Sequence, residues 1–306
     1  PYSKKEYSMK VYNEIFKDIL HVKNCKVVHK HRPKDLFKYL YEKTRGCRFD
    51  SLAGAVQILV EKIVSKLIIQ ISKKHKIKIF SISGGVSMNI KMNKVLSELK
   101  CVDKLYVAST GTDESLSLGA CYYLNRKGNN KPFKNIYLGR QLYDGILTKN
   151  KIKIYFKDKK KYILKKNINH KYIAKLLSNG EIIAVARDRE EFGARALGNR
   201  SILANPYIDG VVQKINDQIK NRDFWMPFAP MILDKKVTDY IKLPESLINT
   251  PYMMFACDTV EKNRDNMICS IHQADFTARP QIVDKRRYKD IYEISELILN
   301  IALEKI

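Results

Sequence analysis

Between residues 50 and 124 the hydrophobic pattern switches repeatedly between two periods, and this constrains the fold more than any other feature. Leu52, Val56, Leu59, Ile63, Leu67 and Ile71 recur at three- and four-residue steps, which predicts a long amphipathic helix over 50–72. "KIKIFSIS" (Lys76 to Ser83) then alternates and is β-branched enough for a strand. Met88 to Leu99 returns to a helical pattern, "KLYVAS" (Lys104 to Ser109) reads as a second strand, and Ser115 to Leu124 as a third helix. Helices alternating with short strands imply an α/β fold with a mostly parallel sheet.

The loops that leave these strands carry chemistry. "GGVSMN" follows the first strand, and Gly84 and Gly85 allow backbone N–H groups to approach a bound phosphate closely. Asn89 stands at the start of the next helix, within reach of a ribose or phosphate. "STGTDES" follows the second strand and sets Asp113 at the carboxyl end of the sheet, where open α/β sheets bind ligands. A carboxylate there suits a metal or a nucleotide hydroxyl, and it equally suits capping of the helix that begins at Ser115.

A second concentration lies in "REEFGARALGNRSILANP" (Arg189 to Pro206) and "IKNRDFWMPFAP" (Ile219 to Pro230). Arg187, Arg189, Arg195 and Arg200 fall on or beside one loop that Gly193 and Gly198 allow to turn sharply. Lys220, Arg222 and Arg279 add further cations, Ser201 adds a hydroxyl, and Glu191 is placed to hold an arginine. The guanidinium is a rigid fork of donors that fits phosphate or carboxylate on two prongs. For Arg195 and Arg200 anion binding outweighs surface pairing; for Arg187 and Arg189 the two readings balance. Trp225 and Phe228 read as a core wall, and His272 in "IHQAD" as a structural histidine more than a proton carrier. His29 and His31 have no acid or histidine at ligand spacing and read as exposed.

The 306 residues suffice for about two domains. The expected division is 1–140, a lysine-rich connection over 141–168, and 169–306. Within the second part, "HKYIAKLLSNG" predicts a helix closed at Asn179 and Gly180, "EIIAVA" a buried strand, and "KDIYEISELILNIALEKI" a terminal helix. The net charge of +25 raises a nucleic-acid partner. The lysines are strewn along the chain without aromatic interleaving, which favours a solvated face. The longest apolar helix candidate is broken by Glu61, Lys62 and Lys66 and does not read as a membrane span. Six scattered cysteines without a CxxC pair read as free thiols in a reducing, cytoplasmic compartment, and Pro1 as the start of a processed or excised chain.

Taken in order, "SGGVSMNIKMN", "GTDESLSLGA", "REEFGARALGNRSILANP", "IKNRDFWMPFAP" and "IHQADFTARPQIV" resemble the O-carbamoyltransferases of the nodulation-factor and antibiotic-tailoring type, the NodU/CmcH and TobZ-like family. The resemblance covers nearly all of residues 50–290. It implies part of an actin/hexokinase-type (ASKHA) ATPase-like domain followed by a YrdC-like α/β domain. It further implies that ATP and carbamoyl phosphate yield a carbamoyl-adenylate, from which the carbamoyl group passes to a hydroxyl of a small-molecule or sugar acceptor. Carried over by motif, Gly84, Gly85 and Asn89 contact nucleotide and Asp113 ligates Fe2+, with Mg2+ as an additional ion. Arg195, Lys220 and Arg279 hold carbamoyl phosphate or the adenylate, supported by Arg200, Ser201 and Arg222. The family's N-terminal half, with its metal-binding histidine pair, and its C-terminal Asn-Thr-Ser-Phe-Asn segment have no counterpart here, and Met226 stands where many members have arginine. The expectation is therefore a fragment, with a second chain supplying the N-terminal half. A nucleic-acid modification module and an inactive scaffold are the alternatives.

Overall fold

The computed structural model describes residues 3–129, 131–142, 165, 167–223, 225–247 and 249–303, so nearly all of the lysine-rich connection lies outside the described residues. The chain forms two compact units that are not consecutive in sequence. The first comprises Pro1–Asp113, Ile241–Thr259 and His272–Arg279; the second comprises Glu114–Tyr240, Val260–Ile271 and Pro280–Ile306. The chain thus leaves the first unit at Asp113 and returns to it twice.

The first unit is organised around a long helix. Helix α1 (Lys5–Val11) runs into a π-helical turn (Tyr12–Phe16), followed by the hairpin β1 (Leu20–Lys23) and β2 (Lys26–His29), helix α2 (Leu36–Thr44) and helix α3 (Phe49–His75). The hairpin turns on Asn24 and Cys25, both with positive φ (54° and 60°), the conformation that matches the twist of two-residue β-turns. The most buried positions of α3 are not the expected Leu52–Val56–Leu59 stripe. Ser51, Gly54, Ala55, Ile63, Ile68 and Ser72 are buried, while Val56 is 42% exposed. Small residues at 51, 54 and 55 suit close approach, and Ala55 packs in one cluster with Tyr12, Ile15, Phe16 and Ile19.

Next comes a strand–helix–strand unit: β3 (Ile79–Ile82), a 3-10 turn (Gly85–Met88), α4 (Ile90–Ser97) and β4 (Lys104–Val107). The two strands pair in parallel, Ile79 opposite Lys104 through Ile82 opposite Val107. The later segments of this unit add an antiparallel three-stranded sheet of Ile241–Lys242, Cys257–Thr259 and Thr277–Ala278.

The second unit contains helix α5 (Ser115–Leu124), helix His170–Ser178, the antiparallel pair β5 (Ile183–Ala186) and β6 (Arg200–Leu203), and β7 (Met231–Leu233) paired in parallel with Gln281–Val283. Helix His170–Ser178 packs against the terminal helix Lys289–Leu303 through Ala174, Leu177 and Ile294. Its start is capped by the Asn169 side chain, which accepts the Tyr172 N–H at 2.9 Å. β5 is not buried throughout; exposure alternates along it, as expected of a strand with one covered face. Among the described residues the fold is mixed α/β with five small sheets, two of them parallel pairs and three antiparallel, and the strands of 50–124 pair in parallel as their alternation with helices implied.

Candidate functional site

In the first unit, the loops after β3 and β4 converge. Gly84 has φ 102° and ψ 161°, a conformation open to glycine alone, so the chain can turn out of β3 directly. Gly111 in the second loop lies against the first: a Cβ there would stand 2.6 Å from Ser87 Oγ and 3.1 Å from the Gly84 carbonyl oxygen. Ser87 itself donates to the Gly84 carbonyl at 2.7 Å. Beneath the loop, fully buried Asn93 donates from Nδ2 to the carbonyls of Ser87 and Met254, each at 2.8 Å. Thr110, also buried, keeps a hydroxyl with no hydrogen-bond partner. Two parallel strands therefore deliver two glycine loops to one edge, the arrangement that accepts phosphate groups.

The flanking residues divide. Asn89 caps α4, its Oδ1 accepting the Met92 N–H at 3.0 Å, and its side chain is further held by Gln57 of α3 through a 2.8 Å bond. Most of its hydrogen-bonding capacity is thereby used inside the fold. Asp113 is exposed, and the N-cap position of α5 falls on Glu114 without a side-chain capping bond, so the alternative role as a helix cap is not what the structure gives Asp113. Among the described residues no three His, Cys, Asp or Glu side chains gather as metal ligands. One carboxylate does not make an iron site. A single carboxylate beside a phosphate loop does fit Mg2+, which takes one or two carboxylates and completes its shell with phosphate oxygens and water.

In the second unit the arginine-rich loop joins β5 to β6, and a carboxylate organises it. Glu191 Oε1 accepts the backbone N–H groups of Leu197 (2.7 Å), Asn199 (2.8 Å) and Arg200 (3.2 Å). Burial alone pushes its carboxyl up, but these backbone bonds hold it below the usual range. Glu191 thus holds backbone, not the arginine expected. Ser201 Oγ accepts the Gly198 N–H at 2.8 Å. Leu197 offers its carbonyl to Tyr137 Oη at 2.8 Å and to the fully buried Gln281 Nε2 at 3.0 Å.

Within this frame the arginines take different roles. Arg200 braces the hairpin, donating to the carbonyls of Arg187, Asn199 (3.0 Å), Asp188 (3.2 Å) and Arg140 (3.3 Å) and pairing with Glu190 at 3.5 Å. Arg187 pairs with Asp290 at 2.6 Å and also donates to Asn199 Oδ1. Arg189 donates to the Leu138 carbonyl at 2.7 Å. Arg195 differs: its Nε is buried and has no hydrogen-bond partner. Burial first, and then the charge of Arg222, lower its pKa from the ordinary guanidinium value. Arg222 lies over the Phe228 ring, 5.4 Å from its centroid, so Phe228 serves as a cation platform. Asn221, with φ 46°, turns the chain sharply between exposed Lys220 and Arg222. Arg195, Lys220 and Arg222 belong to the second unit, whereas half-buried Arg279, at the end of strand Thr277–Ala278, belongs to the first.

His272 opens a turn in the first unit and has Asp275 at its centre. Asp275 pairs with Lys91 of α4, accepts the Thr277 hydroxyl (2.7 Å) and N–H (3.1 Å), and lies 3.4 Å from His272 Nδ1. Asp275, Lys91, Asn93 and Gln57 each work through partners far away in the chain, and no local spacing announces them. All six cysteines are free, and burial pushes the Cys257 thiol up to about 12.

The carbamoyltransferase N-terminus family model matches residues 3–122 and the carbamoyltransferase C-terminus model residues 174–301. The chain belongs to the carbamoyltransferase family. It is similar to the nodulation protein NolNO of Sinorhizobium fredii (28% identity, 79% of this chain and 36% of the relative). It is similar also to the uncharacterized protein MJ1051 of Methanocaldococcus jannaschii (32%, 79% and 46%) and to the nodulation protein NolO of Bradyrhizobium diazoefficiens (28%, 77% and 43%). The chain thus spans less than half the length of these relatives.

Proposed function

We propose that this chain is the part of an ATP-dependent O-carbamoyltransferase that binds nucleotide phosphates and carbamoyl phosphate and forms a carbamoyl-adenylate: water releases phosphate from carbamoyl phosphate, and the resulting carbamate oxygen displaces pyrophosphate from ATP. The carbamoyl group then passes to a hydroxyl of a small-molecule acceptor, with AMP as the leaving group and the hydroxyl proton lost to solvent. The observation that carries the reading is Arg195. A guanidinium with a buried, unpartnered Nε, beside the like charge of Arg222, is costly unless an anion completes it. Carbamoyl phosphate supplies the bidentate oxygens such a fork requires. Arg195 and Arg222 would stabilise charge on the phosphate, with Lys220 a flexible third cation. Arg200 and Ser201 act indirectly, by holding the loop.

In the first unit, the Gly84–Gly85 loop would present its N–H groups to nucleotide phosphates, and Asp113 would hold Mg2+ bound to those phosphates. That ion would supply charge neutralisation on the phosphate oxygens. Iron does not enter the proposal, because the described residues lack its ligand set. Residues 1–140 are read as part of an ASKHA-type domain and residues 169–306 as YrdC-like on the resemblance of their motifs, and Arg279 is read as a further anion contact on the same ground.

The test is carbamoyl-phosphate-dependent release of pyrophosphate from ATP. Arg195→Ala should abolish it while leaving the fold intact. Wild-type turnover in that variant would overturn the assignment. Absence of turnover with all partner chains and ions present would overturn the activity itself.

A further inference from the structure

We infer a second anion site in the second unit, distinct from Arg195: a cleft that takes a condensed phosphate, the di- or triphosphate group. The cleft has a volume of about 300 Å³ and collects five cations, Arg187, Arg189, Arg286, Arg287 and Lys289, against two carboxylates, Asp188 and Asp290. One of those carboxylates is already used, because Asp290 pairs with Arg187 at 2.6 Å. Arg189 donates to the Leu138 carbonyl, which leaves its charge uncompensated. The Arg287 guanidinium has a long ion pair with Asp284, 3.6 Å, beside a backbone bond to the same carboxylate. Exposed Arg286 and Lys289 have no ion-pair or hydrogen-bond partner among the described residues. Arg195 does not line this cleft.

Like charges crowded around one concavity repel, and an open cleft of one sign raises the local concentration of the opposite ion. The excess of three positive charges matches a condensed phosphate better than a single carboxylate. Because Arg187 is held by Asp290 and Asn199, the guanidinium of Arg189 on one chain segment and those of Arg286 and Arg287 on another are the groups left to grip separate phosphoryl groups. The floor is rigid. Asn199 is 5% exposed, accepts from Arg187 Nε at 3.1 Å and donates to the Arg189 carbonyl at 2.7 Å. The cations at 187 and 189 therefore project from a braced hairpin, while those at 286–289 sit where the terminal helix begins.

The site is tested on the full chain by calorimetric titration with sodium pyrophosphate at 150 mM salt (about physiological ionic strength). Arg286→Ala/Lys289→Ala, both exposed positions, should weaken binding at least tenfold, and Arg195→Ala should leave this binding event unchanged. The result separates this site from the proposed activity, because the two rest on different residues. Pyrophosphate should also protect Arg286 and Arg287 of the unaltered protein from phenylglyoxal, read by peptide mass spectrometry. Titrations with ATP and with a short RNA distinguish a free nucleotide from a nucleic-acid backbone as the source. Unchanged affinity in the double variant, loss of all pyrophosphate binding in Arg195→Ala, or binding of the RNA but not of pyrophosphate would overturn the inference.

Discussion

Glu191 Oε1 accepts the backbone N–H of Asn199 at 2.8 Å, and with it those of Leu197 and Arg200, so one carboxylate oxygen closes the loop that carries Arg195. Glu191→Ala strands three donors and should cost about 1–3 kcal/mol at neutral pH, measured by urea unfolding. The carboxyl is held below its ordinary value in the folded state. Its contribution is therefore complete above the unfolded pKa of about 4.3 and is lost as pH falls through the lower folded value. The gap between wild type and variant should narrow on acidification below about pH 4. A gap independent of pH would argue against the carboxylate as the organising group.

Arg195 carries the opposite sign. Replacing it with Met removes a half-buried cation that lies beside Arg222, so in anion-free buffer the variant should equal or exceed wild type in melting temperature. Carbamoyl phosphate should raise the melting temperature of wild type, because a ligand of the native state stabilises it. That rise should be absent in Arg195→Met. An equal rise in both proteins would place the anion elsewhere.

The Lys91–Asp275 pair ties α4, the helix that follows the glycine loop, to the turn that leads into Arg279. Burial pushes the Asp275 carboxyl up, but hydrogen bonds from His272, Lys91 and Thr277 hold it well below the carboxylate range. Asp275→Asn should therefore destabilise by about 1–3 kcal/mol at pH 7, by calorimetry or denaturant. The contribution is present above the unfolded pKa of about 3.9 and is lost as pH falls through the depressed folded value. Most of the difference should survive at pH 5 and shrink toward pH 2.

Gly111→Ala places a methyl 2.6 Å from Ser87 Oγ and 3.1 Å from the Gly84 carbonyl, so the two loops must part. Nucleotide affinity should fall about tenfold, with a stability loss of about 1–2 kcal/mol. Removing the nearer obstacle with Ser87→Ala should restore part of both. If Gly111→Ala binds nucleotide as wild type does, the loops' convergence does not matter to the site.

Periodicity and motif order made much of this chain legible. The helix Ser115–Leu124 has the bounds its pattern predicts, and the strands at 79–82 and 104–107 lie within theirs, because side-chain period and capping are local properties. The order of five motifs likewise pointed to the family that the N- and C-terminus models match. The sequence grouped Arg195 with Arg200 as anion binders and could not separate the two, although Arg200 braces the hairpin. Arg187, Arg189, Arg195 and Arg200 are the same residue within one short stretch, and only tertiary contacts decide that three brace backbone or carboxylate while Arg195 Nε is left without a partner. Strand pairing and the division into two interleaved units were hidden for the same reason. The partners lie far apart in the chain, as Lys91 and Asp275 do across 184 residues, and no local pattern encodes which distant donor meets which acceptor.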